Sequence, residues 1–321
     1  MLQIFVVTFP FFALVLCGYL AARWRILPLE AIPGLNGFVL FFALPCMLYR
    51  FGADTPIGQL LDVSVLLTWV ISALIALTFT VAFSRSARIG WNDASFGALV
   101  AVFPNSGFMG VPLLVALMGA QSAGPVILTM VIDMIVTTSL CIALSRLGGA
   151  DGHGAAKAFR KAIKGVLGNP LPWAILSGAL VSVMGWTPPV PVTQTLGLLA
   201  DAASPVALFT MGTVLARAQM FAIQGHAQPT ALRDYLPLAL FKLFAHPLLV
   251  WGVGSGLISL GLPLSRFVLT VMVLTAALPS ASNVSLLAER FGADNGRVAR
   301  IILVSTASAF VTFSLAVALM V

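Results

Sequence analysis

The stretch Ala101-Val102-Phe103-Pro104-Asn105-Ser106-Gly107-Phe108-Met109-Gly110-Val111-Pro112-Leu113-Leu114 decides how the chain is read. It lies inside an apolar run, Ala94 to Met118, that has the length of a membrane span. Its middle nevertheless holds two prolines, two glycines, an asparagine and a serine. Pro104 and Pro112 each remove a backbone donor and crowd the preceding turn, so an unbroken helix is not expected. In hydrocarbon the freed N–H and C=O groups have no water to bind. Such backbone persists only where protein covers it or where it lines a wet cavity.

A second stretch late in the chain has the same character: Ala276-Ala277-Leu278-Pro279-Ser280-Ala281-Ser282-Asn283-Val284-Ser285-Leu286-Leu287. The flanks match too. Leu113-Leu114 precedes Gly119-Ala120 as Leu286-Leu287 precedes Gly292-Ala293, at a constant offset of 173. Interrupted spans at corresponding places in two halves point to a transporter's binding site. The alternative is a pair of kinked helices whose small residues serve close packing.

Composition fixes the class. Apolar residues make up 60% of the 321, charged residues 8%, and the mean hydropathy is +1.06. A soluble domain carries about 25% charge, so the chain reads as an all-α polytopic membrane protein. The net charge of +7 does not indicate nucleic acid, because the basic residues fall between spans, where they set topology. Cys17, Cys46 and Cys141 sit in apolar runs without metal-ligand spacing and imply neither metal nor disulfide.

Ten segments of spanning length can be marked: Leu2–Ala22, Leu35–Tyr49, Leu60–Phe83, Ala94–Met118, Ser122–Ser145, 168–185, Val192–Leu215, Leu236–Leu260, Phe267–Leu287 and Val298–Val321. No basic residue precedes the first and Arg23 and Arg25 follow it, so it is expected to be an uncleaved span. With the N-terminus outside, fourteen basic residues fall in inner loops, among them Arg85, Arg88, Lys161, Arg217, Arg233 and Arg297. Outer loops hold only Arg50 and Arg266. This bias predicts both termini in the periplasm of a bacterial inner membrane. Residues 1–147 then form a first five-helix repeat, 148–167 a basic cytoplasmic linker, and 168–321 a second repeat. Pro10, Gly18 and Pro45 correspond to Pro170, Gly178 and Pro205 at an offset of 160. Five spans is an odd number, so the second copy enters the membrane inverted.

The motifs Phe42-Ala43-Leu44-Pro45, Asn105 to Pro112, and Pro279-Ser280-Ala281-Ser282-Asn283 resemble those of the auxin efflux carrier family, in particular its bacterial malonate-carrier-like branch. The resemblance covers essentially the whole chain. It implies ten transmembrane helices in two inverted five-helix repeats, a bile acid/sodium symporter-like, NhaA-like fold. Spans 1, 2, 6 and 7 would form a scaffold, through which two copies could pair. Spans 3–5 and 8–10 would form a transport domain, with broken helices 4 and 9 crossing at the substrate site. A long central hydrophilic loop, present in the plant hormone exporters, is absent from the sequence.

Broken-helix ends expose backbone donors and acceptors with partial dipole charges. Asn105 and Asn283 each bring a donor and an acceptor on one side chain. Ser106, Ser280 and Ser282 add hydroxyls, Gly107 and Gly110 allow close approach to the backbone, and Pro104 and Pro279 set the breaks. The alternative is that each asparagine caps its own half-helix. Four ionisable residues fall inside spans: Asp133, Asp201, Lys242 and His246. Such groups are paired or functional by default. Lys242 and His246 share a helix face at i, i+4, and Asp133 is the expected partner of Lys242, as an ion pair or a coupling group for H+ or Na+. The other reading is a buried structural pair, with His246 satisfied by backbone near Pro247.

These features predict a secondary carrier of a small organic anion, malonate or a related carboxylate, working by elevator-type alternating access. A carrier of another monocarboxylate or of an auxin-like aromatic acid, coupled to protons or sodium, and an anion channel are the alternatives. No cofactor, no metal site and no enzyme activity are expected. Asp133 and Asp201 lack the Gly-rich settings of aspartyl proteases, and no phosphate loop occurs.

Overall fold

The computed structural model describes residues 2–54, 62–86, 88–147, 170–223 and 231–321. The expected linker, 148–167, lies outside the described residues. Twelve helices are labelled in chain order: α1 Leu2–Arg23, α2 Leu29–Asp54, α3 Val63–Ser84, α4 Trp91–Val102, α5 Ser106–Met118, α6 Ala120–Ser145, α7 Pro170–Met184, α8 Val190–Ile223, α9 Leu232–Ser259, α10 Arg266–Ala277, α11 Asn283–Arg290 and α12 Asn295–Met320. Among the described residues, seven helices are long and apolar enough to cross a membrane, and α5 and α10 are shorter apolar helices.

Apolar helices still carry hydroxyls, and these are satisfied within their own helix. Thr68, Ser72 and Thr80 of α3 donate to the carbonyls of Ser64, Thr68 and Ala76 at 2.8, 2.7 and 2.6 Å, which removes the cost of burying an unpaired polar group. The Asp62 carboxylate caps α3 by accepting from the N–H groups of Ser64 and Val65. At the far ends of α5 and α11 stand Gly119 and Gly292, with φ of 87° and 66°. Both end their half-helices in the left-handed region that favours glycine, and they are the pair matched in sequence.

Two close interfaces obey the 160-residue register. In α1 against α8, a Cβ on Gly18 would overlap the Phe209 carbonyl oxygen, and a Cβ on Gly212 would overlap that of Val15. In α7 against α2, Gly178 meets the Tyr49 carbonyl oxygen and Gly52 that of Ile175. Each residue in the first set has its counterpart 160 positions away in the second. Small residues let the helix backbones touch, which is how helices associate without a hydrophobic driving force between them.

Among the described residues, four helices contain a π-helical turn: Val39–Ala43 in α2, Ser106–Gly110 in α5, Asp133–Thr137 in α6 and Phe241–Ala245 in α9. Three of the four carry candidate functional residues, the usual setting for such turns.

Candidate functional site at the bridge between two helix breaks

The two breaks meet. Beyond α4, Phe103 is extended (φ −82°, ψ 105°), and beyond α10 so is Leu278 (φ −61°, ψ 155°). Pro104 and Ser280 form an antiparallel β-bridge. It is held by Asn105 N–H to the Pro279 carbonyl at 2.8 Å and Ala281 N–H to the Phe103 carbonyl at 3.0 Å. Pro104 occupies the bridge position where no donor is required, the one place in a β-pair that suits proline. Ser280 N–H points away from the bridge and donates to Ser305 Oγ of α12 at 3.2 Å. Ser106 N–H returns to the Pro104 carbonyl at 2.8 Å, so Asn105 (φ −76°, ψ 57°) is the centre of an inverse γ-turn.

The expected site residues divide here. Asn105 is buried under α8, where its Nδ2 donates to Met211 Sδ at 3.0 Å. Ser106 and Ser280 are fully buried, and the Ser280 hydroxyl has no partner among the described residues. The two glycines answer to packing rather than to a ligand. A Cβ on Gly110 would sit 2.8 Å from Leu278 Cδ1 in the other broken segment, and one on Gly107 3.1 Å from Met130 Sδ. Ser282 and Asn283 differ, since both line a cavity, and the buried Asn283 Oδ1 has no hydrogen-bond partner among the described residues.

That cavity encloses about 260 Å³. One wall is Asn36 and Leu40 of α2 with Val214 and Arg217 of α8. The other is Phe108 of α5, then Ser282, Asn283, Ser285 and Glu289 of the second broken segment, and Asn295 of α12. Ser285 Oγ donates to Asn295 Oδ1 at 2.7 Å, which ties α11 to α12 across the floor. Among the described residues, nothing hydrogen-bonds or ion-pairs with the Arg217 guanidinium. An unpaired cation and the N-terminal end of α11, which carries the positive end of the helix dipole, thus face one small polar space.

Sequence reasoning placed Arg217 in a loop and did not single out Asn36, Glu289 or Asn295. The structure corrects the first point: α8 runs on to Ile223, beyond the apolar window that ends at Leu215. A signal was present in the spacing. Met211, Val214 and Arg217 lie three residues apart on one face, the first on Asn105 and the other two on the cavity.

The intramembrane ionisable residues also divide. Asp133, Lys242 and His246 are fully or almost fully buried between α3, α6, α9 and α10. Asp133 Oδ1 accepts from Trp69 Nε1 at 3.0 Å and Thr137 Oγ1 at 2.8 Å, while Oδ2 has no partner among the described residues. Lys242 Nζ donates to the Ala276 carbonyl at 2.7 Å and lies 3.2 Å from His246 Nδ1. The expected contact between Asp133 and Lys242 does not form: no ion pair within 4 Å joins them. Trp69 touches both sides instead, hydrogen-bonded to Asp133 and edge-on to the His246 ring. The Ala276 carbonyl ends α10, where the dipole is negative, and that is sufficient reason for the ammonium to settle there. Asp201 proves to be exposed and pairs with Arg50 of α2 at 2.7 Å, so it belongs to neither the cavity nor the buried cluster.

The described residues are helical apart from the bridge and short connections, with several membrane-length helices and a polar cavity at an internal helix break, an arrangement that suits a membrane transporter. The family described as "Membrane transport protein" matches residues 3–317, and the chain belongs to this family, that of the auxin efflux carriers. It is 28% identical over 300 residues to a Rhizobium meliloti (strain 1021) protein named "Putative malonate transporter", covering 92% of this chain and 89% of that one. It is 26% identical over 295 residues to the "Uncharacterized transporter YfdV" of Escherichia coli (strain K12), covering 88% and 86%. With "Auxin efflux carrier component 7" of Arabidopsis thaliana it shares 27% identity over 146 residues, 44% of this chain and 23% of that protein.

Proposed function

We propose that the chain is a secondary carrier of a small organic anion, malonate or a related carboxylate, in the inner membrane. The observation that carries this reading is the cavity of about 260 Å³ lined by Arg217, which has no hydrogen-bond or ion-pair partner among the described residues, and by Ser282 and Asn283 at the start of α11. A guanidinium matches a carboxylate with two parallel N–H donors. Asparagine and serine side chains add hydrogen bonds, and the cavity has room for a short diacid. The match to the Rhizobium protein supports the choice of malonate as the first substrate to try.

Two inverted repeats account for the paired glycine contacts at an offset of 160 and the paired helix ends at Gly119 and Gly292. In this reading α1, α2, α7 and α8 form a scaffold, and the remaining helices carry the crossing. The cavity lies between these two groups, so a sliding of one past the other would move the ligand across the bilayer. A second reading, in which protons or sodium accompany another monocarboxylate, is supported by Glu289 on the cavity wall. An anion brought to Arg217 there sits near a carboxylate whose charge a cation would offset.

The test is uptake into proteoliposomes with malonate, succinate, acetate and an aromatic acid, with pH and sodium gradients imposed separately. Arg217→Gln should raise the half-saturating concentration by about ten- to a hundredfold, the range for losing a hydrogen bond between charged groups. Arg217→Lys should recover part of the loss. Unchanged saturation in Arg217→Gln would remove the cavity from the transport path.

A further inference from the structure

On the outer flank of the helix bundle, away from the crossing, two cavities run into one another between α3 and α9. One, of about 430 Å³, is lined by Ser84, Arg88, Arg233 and Arg297 among others. The next, of about 520 Å³, is lined by Phe79, Phe83, Leu240, Phe241 and Phe244. Phe83, Pro237 and Leu238 line both, so the two form one continuous groove. Its chemistry changes along its length. The far end is aromatic and apolar, with Phe79 stacked on Phe241 at 5.7 Å between ring centroids. The near end lies at the C-terminus of α3 and the N-terminus of α9, the level at which these helices leave the apolar layer.

Among the residues that line the near end, three arginines stand against one carboxylate, that of Asp234. Asp234 pairs with Arg88 at 2.6 Å. The Arg297 guanidinium donates to the carbonyls of Asp234 at 2.7 Å and Asp93 at 3.0 Å, and the carboxylates of Asp234, Asp294 and Asp93 are close enough to offset part of its charge. Arg233 is exposed and has no hydrogen bond or ion pair with a described residue. A further observation also points to a ligand. Ser84 is 7% exposed and lines this end, yet its hydroxyl oxygen has no partner among the described residues.

We propose that this groove binds one phospholipid with an anionic headgroup. The phosphate would lie between Arg233, Arg297 and the Ser84 hydroxyl, and an acyl chain would lie along Phe79, Phe83, Phe241 and Phe244. Basic pockets between membrane helices select anionic headgroups, and the aromatic extension gives a chain-length apolar surface that a free anion would not use. The groove borders the π-helical turn Phe241–Ala245, whose Lys242 reaches the end of α10. A bound lipid therefore touches a helix that supports the crossing.

The experiment is native mass spectrometry of the full chain in neutral detergent, titrated with phosphatidylglycerol or with phosphatidylcholine of the same acyl chains. One phosphatidylglycerol should be retained in preference to phosphatidylcholine, and millimolar inorganic phosphate should not displace it. Arg233→Gln, at an exposed position that leaves folding intact, should weaken retention about fivefold, the scale for one basic residue at an anionic surface. Phe83→Ser should weaken both lipids alike. Equal retention of the two lipids, or no effect of Arg233→Gln, would overturn the proposal. Full displacement by inorganic phosphate would do the same and would leave an anion site without a lipid. None of these readouts depends on transport, so the carrier reading stands or falls separately.

Discussion

The α1–α8 and α7–α2 interfaces can be set beside the crossing of the two broken helices. At the interfaces, a shift of 160 residues reproduces the contacts themselves: Gly18 on Phe209 becomes Gly178 on Tyr49, and Gly212 on Val15 becomes Gly52 on Ile175. At the crossing only the backbone corresponds. Both segments break at a proline and both half-helices end on a left-handed glycine. The asparagines then part company, with Asn105 sealed against Met211 and Asn283 open to the cavity. Close backbone packing leaves room for one solution, which both interfaces use. A binding surface needs different groups on its different sides, and the offset of 173 sets Asn105 on Leu278 and Asn283 on Gly110, so the two asparagines are not counterparts.

The largest effect expected from breaking this correspondence is at the interfaces. Gly18→Val and Gly178→Val should each cost about 3 kcal/mol or more, at the upper end for overpacking, since backbone rather than a side chain stands in the way. Thermal unfolding in detergent should show similar losses for the two variants. A large loss in one with none in the other would break the equivalence.

Next come the asparagines. Asn283→Ala should weaken malonate binding by about ten- to a hundredfold with little change in stability without ligand. Asn105→Ala should show the opposite balance, because its amide contacts protein. Ligand-induced thermal shift beside ligand-free stability separates the two, and identical behaviour would erase the distinction drawn here. Ser305→Ala removes the acceptor for the Ser280 N–H and should destabilise by about 1–3 kcal/mol, the cost of a buried unpaired donor. Its effect on affinity should be smaller than that of Asn283→Ala, and a larger one would place ligand at Ser280. Smallest is Asp201→Asn. Its ion pair with Arg50 lies outside the cavity, so its effect on substrate affinity should be smaller than that of Asn283→Ala. Abolished transport with normal folding would return Asp201 to the list of coupling residues.

Much of this was legible from residue types. Pro104 and Pro279 mark the breaks because proline leaves the same trace wherever it stands, a missing donor and a fixed φ. Gly119 and Gly292 were visible as a matched pair, and both carry the left-handed φ that glycine permits. Arg217 was hidden for a physical reason. A count of basic residues treats every arginine beyond an apolar window as a loop residue, whereas α8 continues past that window to Ile223. Asp201 is paired, as expected of an ionisable residue inside a span, but its partner Arg50 was not named from the sequence, because an apolar window does not show which neighbour a helix face reaches. The contact between Asp133 and Lys242 was expected from depth in the spans, and depth does not fix side-chain direction: Asp133 turns to Trp69 and Thr137, and Lys242 to the Ala276 carbonyl. Each of the two lies in a π-helical turn, which changes the angular spacing of residues and leaves no mark in composition.

The bridge at the crossing has one more consequence, which concerns growth rather than binding. Two extended segments side by side normally offer an edge along which pairing can propagate. Here Pro104 and Pro279 have no amide hydrogens, and the bonds from Asn105 and Ala281 are the only two that bridge the strands. A ladder held at one rung, with a proline in each rail, has no way to lengthen. Each segment returns to helix within a few residues, at Ser106 and at Asn283.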